Sequence, residues 1–220
     1  MPRRRTLDLA GTIGCIDTRG LKTTLISTVG THCDVWRTTR MVSREGGALM
    51  LDLVIKRPKL AVSHAEIRIM RRDWKILHDR LGDIVPEAIF VETEVQGSPN
   101  VVVVAEAAPL WFNVANPAYE EDAVMLMRQN PKSRAQLGLF IEAARDWYDQ
   151  GNGKLIDLFG LDNLVIDVNR RVRYVDSFNV FFYLDLLDME DDADSHLRNM
   201  VEISLERLDY LDWVMRLTRP

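Results

Sequence analysis

The sequence predicts an α+β chain in two parts: a strand-rich first part carrying one helix, and a mostly helical second part. Three observations lead there. Up to Glu106 the apolar residues come in short, β-branched runs broken by Gly and Pro turn signals. Beyond Asn116 they recur at helical spacing over much longer stretches. Late in that helical part, residues 164–166 and 172–175 form two short apolar runs around Val168-Asn169-Arg170-Arg171, which reads as a hairpin.

In chain order, residues 24–27 and 33–37 read as strands flanking the turn Val29-Gly30-Thr31, and residues 48–55 as a third strand after Gly46-Gly47. Pro58 closes that strand because it offers no N–H to a ladder. Ser63 with Glu66 three residues on has capping-box spacing, and starts a helix running to about Leu81 with Ile67, Met70, Trp74 and Leu77 on one face. Residues 89–91 and 101–104 form a further strand pair around the turn 97–100. Three helices follow. One covers residues 117–129 with Asn116 as N-cap and Pro117 at the first helical position. The second covers 133–150, with Leu137, Phe140, Ile141, Ala144 and Tyr148 on its stripe, and the last covers 194–217 after an acidic run from Asp185 to Asp194. The division falls near Glu106 to Pro109, giving parts 1–107 and 108–220, and a cleft between two such parts is a common ligand site.

A chain of 220 residues fits one large domain or two small lobes. Its formal charge of −5 argues against a general nucleic-acid binder, and Arg3-Arg4-Arg5 reads as a solvated terminus. Cys15 and Cys33 make no disulfide framework and no CxxC pair, so a reducing cytoplasm is the expected setting. No apolar run approaches the ~20 residues a membrane span needs, and no apolar segment of a secretory signal follows the arginines. Export by a signal of another type stays open. His64, His78 and His196 show no ligand spacing and read as surface or packing residues, and the acidic run reads as a solvated loop and helix start.

The hairpin concentrates the chemistry. Asn163 opens its first strand, Asp176 closes its second, and Asp157 lies just upstream. Two acids and an amide brought to one edge are hard oxygen donors suited to Mg²⁺ and phosphate. Elsewhere Lys56 ends the strand run Leu53-Val-Ile-Lys56, and Thr28-Val-Gly30-Thr31-His32-Cys33-Asp-Val35 has a glycine between two strands.

In order and spacing these segments resemble the protein-kinase-like superfamily, over residues 25–182. Thirteen residues separate Asn163 from Asp176, the interval between the metal-binding Asn and the DFG Asp of that family, and Tyr174-Val-Asp-Ser-Phe178 stands at its DFG segment. The resemblance implies a two-lobed kinase-like fold, with an antiparallel-sheet N-lobe holding one helix and a reduced helical C-lobe. It implies ATP and Mg²⁺ as cofactors, with Asn163 and Asp176 holding the metal and Asp157 orienting the acceptor hydroxyl. Lys56 takes the place of the VAIK lysine, and Glu66 that of its helix partner. Gly30 and Thr31 take the phosphate loop, where only the middle glycine of the family pattern survives. Glu106 and Ala108 take the adenine-binding hinge, a segment that reads equally as a buried strand leaving the sheet.

The chain departs from the family at Leu155 and Ile156, where HRD has His and Arg, and at an interval from Asp157 to Asn163 one residue longer than usual. No APE motif follows Phe178. This is similar to small bacterial effector kinases and to lipopolysaccharide- and aminoglycoside-type phosphotransferases. The expected activity is an atypical kinase acting on Ser or Thr hydroxyls of a protein. The alternatives are a pseudokinase binding module, a small-molecule or sugar kinase, and transfer of AMP by the same fold.

Overall fold

The computed structural model describes residues 22–27, 33–44, 47–149, 153–185 and 195–218. They form an α+β protein that divides into two compact units, each built here by itself. The first holds the described residues up to Arg71 together with Glu87–Ala107, and the second holds Arg72–Pro86 and the chain from Ala108 onward.

The first unit is a five-stranded antiparallel sheet of β1 (Thr24–Ser27), β2 (Cys33–Arg44), β3 (Gly47–Pro58), β4 (Ala88–Val95) and β5 (Ser98–Glu106), in the order β1-β2-β3-β5-β4. β2 and β3 extend beyond their expected ends because they pair without interruption from Cys33↔Pro58 to Arg44↔Gly47. Pro58 ends β3 as anticipated. The β4–β5 turn differs from the sequence reading. Its two central residues are Gln96 and Gly97, with φ of 54° and 80°, and Ser98 to Asn100 already belong to β5. Positive φ at both positions matches the right-handed twist of the strands. Pro99 is tolerated inside β5 because β3 reaches only Val103 in its pairing, so no ladder to β3 needs a proline N–H.

Helix α1 (His64–Leu81) begins in this unit. The Ser63 backbone N–H donates to the Glu66 carboxylate at 2.6 Å, and the Glu66 N–H donates to the Ser63 hydroxyl at 3.2 Å, which closes the capping box read from the sequence.

The second unit takes α1 from Arg72 onward, a 3-10 turn at Gly82–Ile84, and strand β6 (Leu110–Phe112). A second 3-10 turn, Pro117–Tyr119, leads into α2 (Glu120–Gln129) and α3 (Pro131–Asp149). Then come β7 (Lys154–Ile156), β8 (Leu164–Asp167), β9 (Val172–Tyr174), β10 (Phe181–Tyr183) and α4 (Ser195–Leu217). The Asn116 side chain accepts the Ala118 N–H at 3.0 Å, so the expected cap is present, but the turn behind Pro117 is 3-10 before the α-helix starts. β6, β8 and β9 make one small antiparallel sheet, and β10 with β7 another. The strands β6, β7 and β10 are three residues each, too short to show a period in the sequence.

A single apolar core fills this unit, including Leu77 and Ile84, Met127, Leu137 and Phe140, Leu155 and Ile156, Ile166, Tyr174 and Leu211. On α1 the inward face also holds Asp73, beside Trp74, which packs half-buried against the core and stacks on His78 with ring centroids 4.9 Å apart. No described helix is long and apolar enough to cross a membrane.

Candidate active site in the second unit

The hairpin β8–β9 is the frame of the site. Its pairs are Leu164↔Tyr174, Val165↔Arg173 and Ile166↔Val172, and every residue of both strands is buried. The sequence places these strands correctly, while the closure of the turn is a tertiary finding. The Asp167 carboxylate accepts the N–H groups of Asn169 at 2.8 Å and Arg171 at 3.0 Å, and Arg170 takes φ of 59°. The Ser133 hydroxyl donates to the Arg170 carbonyl at 2.6 Å, which fastens the tip to α3. The buried Arg173 lies 3.8 Å from Asp167 and donates to the Asp83 carbonyl.

This frame carries the loop from Asp157 to Asn163. The Asp157 carbonyl receives two donors, the Tyr174 hydroxyl at 3.0 Å and the Asn163 side-chain amide at 3.2 Å. Its N–H donates to the Val180 carbonyl at 2.9 Å, so the segment after Asp176 and the loop before Asn163 are laced together. The Asn163 carbonyl accepts the Val175 N–H at 2.8 Å, which sets Asn163 beside the start of the Asp176 segment. Gly160 makes room for it: a Cβ there would stand 2.5 Å from Asn163 Oδ1 and 2.9 Å from its Cγ. Asp176 Oδ1 accepts the Ser177 N–H at 2.7 Å and the Phe178 N–H at 3.4 Å.

The two acids act on each other's charge. Burial pushes the Asp157 carboxyl up to about 7, and the Asp176 charge pushes it in the same direction. The Phe159 N–H, which donates to Asp157 Oδ1 at 2.7 Å, and the Arg207 guanidinium pull it back. Tyr174 is fully buried and faces both acids, so its hydroxyl is held well above its ordinary pKa and remains a donor. Two carboxylates that oppose each other, with an amide oxygen alongside, fit a hard divalent cation, whose charge would relieve the repulsion. Among the described residues no group of three or more His, Cys, Asp or Glu could hold a metal ion; the set here is two acids and the Asn163 amide.

Asp157, Asn163 and Asp176 are thus brought together. Lys56 lies on the third strand of the first unit, paired with Val35 and Val103. The Glu66 carboxylate is engaged with Ser63 at the helix start, so a pairing with Lys56 requires it to leave its cap. The N–H of Glu106 donates to the Glu87 carbonyl at 3.0 Å and that of Ala107 to the Asp52 carbonyl at 2.9 Å, which ends β5 just before Ala108. Gly30, Thr31, the arginines at 3–5, Cys15 and the acidic stretch from 186 to 194 lie outside the described residues. Of the histidines, His64 lies 3.4 Å from Glu92, and His196 meets the edge of the Phe159 ring at 6.0 Å.

Five side chains escaped the sequence reading. Asp73 is buried on α1 and accepts the Tyr183 hydroxyl at 2.7 Å, while Arg72 donates to both. Ser204 and Arg207 on α4 hold the Asp157 loop. The available signal was a polar residue inside an apolar stripe: Asp73 between Met70 and Leu77, and Ser204 between Val201 and Leu208.

No family model matches the chain, and no curated protein matches it in sequence.

Proposed function

We propose that the chain is an ATP- and Mg²⁺-dependent phosphotransferase of minimal kinase-like organisation, acting on Ser or Thr hydroxyls of a protein. One observation carries the reading: the Asp157 loop is bonded to Asn163 and Tyr174 of a buried hairpin that also leads into Asp176. Asn163 and Asp176 would hold the cation, which supplies charge neutralisation on the nucleotide phosphates when bound. Asp157 accepts the proton of the acceptor hydroxyl as its oxygen bonds to the γ-phosphorus and the bond to the ADP oxygen breaks. Burial raises the Asp157 carboxyl in the direction that suits a base, whose pKa works best near the working pH. Lys56, on the third strand, is assigned to phosphate charge, with Gly30 and Thr31 as backbone donors and Glu106 and Ala108 at the base. Positioning and charge account for most of the rate, because phosphoryl transfer asks little covalent chemistry of the protein.

The test uses γ-labelled and, separately, α-labelled ATP with Mg²⁺ and a cell lysate, alongside Asp176→Ala. Transfer of γ-label that disappears in Asp176→Ala is the expected result. Transfer of α-label would replace the reading with nucleotidyl transfer. ATP binding with no transfer of either label, unchanged in Asp176→Ala, would sink both enzymatic readings and leave a binding module.

A further inference from the structure

The Asp157 loop is held from one side by the hairpin and from the other by α4. Arg207 donates to the carbonyls of both Leu158 and Phe159. One turn earlier the Ser204 hydroxyl, wholly buried, accepts the Leu158 N–H at 3.2 Å. At the start of the same helix His196 packs edge-on against Phe159. Ser204 and Arg207 stand three residues apart, so they share one helix face and grip consecutive peptide groups of the loop. The two residues before Asp157 supply no charge: Leu155 and Ile156 are fully buried apolar members of β7. Both bonds come from Nη1, whose two N–H groups are fixed in the guanidinium plane, whereas the three of an ammonium turn freely.

We propose that Arg207 and Ser204 are positioning residues for Asp157, so that α4, and not a charge adjacent to Asp157 in sequence, sets the geometry of the site. This rests on the phosphotransfer reading for its meaning but not for its test. Two carbonyls and one N–H fixed from a packed helix leave the Asp157 backbone a single arrangement.

The experiment compares wild type with Arg207→Gln, Arg207→Lys and Ser204→Ala by amide hydrogen exchange, Mn²⁺ binding and steady-state kinetics. In Arg207→Gln the amides of Leu158 and Phe159 exchange at least about tenfold faster while those of α3 do not change, which separates a loosened loop from a failure to fold. Turnover falls about 10- to 100-fold, the size expected of a misplaced catalytic group, with KM for ATP within about twofold of wild type. Mn²⁺ affinity falls by less than turnover, because the Val175 N–H still holds the Asn163 carbonyl while the Asn163 amide loses part of its hold on the loosened Asp157 carbonyl. Arg207→Lys recovers only part of the turnover, and Ser204→Ala speeds exchange at Leu158 alone. Unchanged loop exchange in Arg207→Gln would overturn the proposal, as would kcat and KM moving together with the unfolded fraction. If wild type transfers no phosphoryl group, the phosphotransfer reading fails and exchange alone decides: faster loop exchange keeps Arg207 and Ser204 as organisers of Asp157, and unchanged exchange removes them.

Discussion

The two hairpins β4–β5 and β8–β9 use the same local device and end with different uses. β4–β5 turns through Gln96 and Gly97, a pair that accepts positive φ, and β4 presents a mixture of half-buried and exposed residues. β8–β9 turns around a buried carboxylate, Asp167, and hides every residue of both strands. The first is specified by its two turn residues. The second is specified by what surrounds it, namely Ser133 at the tip, Arg173 across the strands and Tyr174 beneath Asp157. A site that must hold two acids near each other gains from the second kind of hairpin, because each polar group has one packed arrangement.

The largest test of this contrast is Asp167→Ala. It strips acceptors from two turn N–H groups and leaves Arg173 buried beside a lost charge, for an expected loss of about 3 to 5 kcal/mol by urea unfolding. A loss near that of a surface change would mean the turn holds itself. Tyr174→Phe deletes only the hydroxyl that reaches the Asp157 carbonyl and should cost about 1 to 2 kcal/mol. The same variant should lower phosphoryl transfer more than the stability change explains, which parallel melting and activity curves would reveal. In the other hairpin, Gly97→Ala meets no neighbouring atom, so only its φ of 80° opposes it. About 1 kcal/mol is expected, with activity untouched; a larger loss would show hidden packing at that tip.

The smallest effect lies at the start of α1. Ser63→Ala should cost about 1 kcal/mol at neutral pH. The pH dependence has a definite sign. The Ser63 hydroxyl, and then its N–H, lower the Glu66 pKa below the ordinary glutamate value, so the stabilisation is fully present above that value. It fades as the pH falls through the lowered pKa. Stability curves of wild type and Glu66→Gln should therefore converge in acid, and curves that stay parallel through that range would show that the box does not depend on the charge.

Much of the fold was legible because its signals are local. The Ser63–Glu66 box, the Asn116 cap, Pro58 at a strand end and the β8–β9 strands each rest on a few adjacent residues whose chemistry allows little else. The β4–β5 turn was misplaced because Ser98-Pro99-Asn100 looks like turn material until the unpaired flank of β5 is known. Glu66 carried two expectations at once, a cap and a lysine partner, and only the first is a matter of neighbouring residues.

By itself the sequence determined the α+β order of elements, the strand that bears Lys56, and the spacing that sets Asn163 just before β8 and Asp176 just after β9. Only the tertiary structure decided that Asp73 is buried beside Trp74, that Gly160 leaves room for Asn163, and that Ser204 and Arg207 grip the Asp157 loop from far along the chain. Periodicity reports which side of an element is apolar. It says nothing of which distant polar group will satisfy a buried carbonyl or carboxylate, because that choice is made when elements pack and unpaired groups can no longer turn to water.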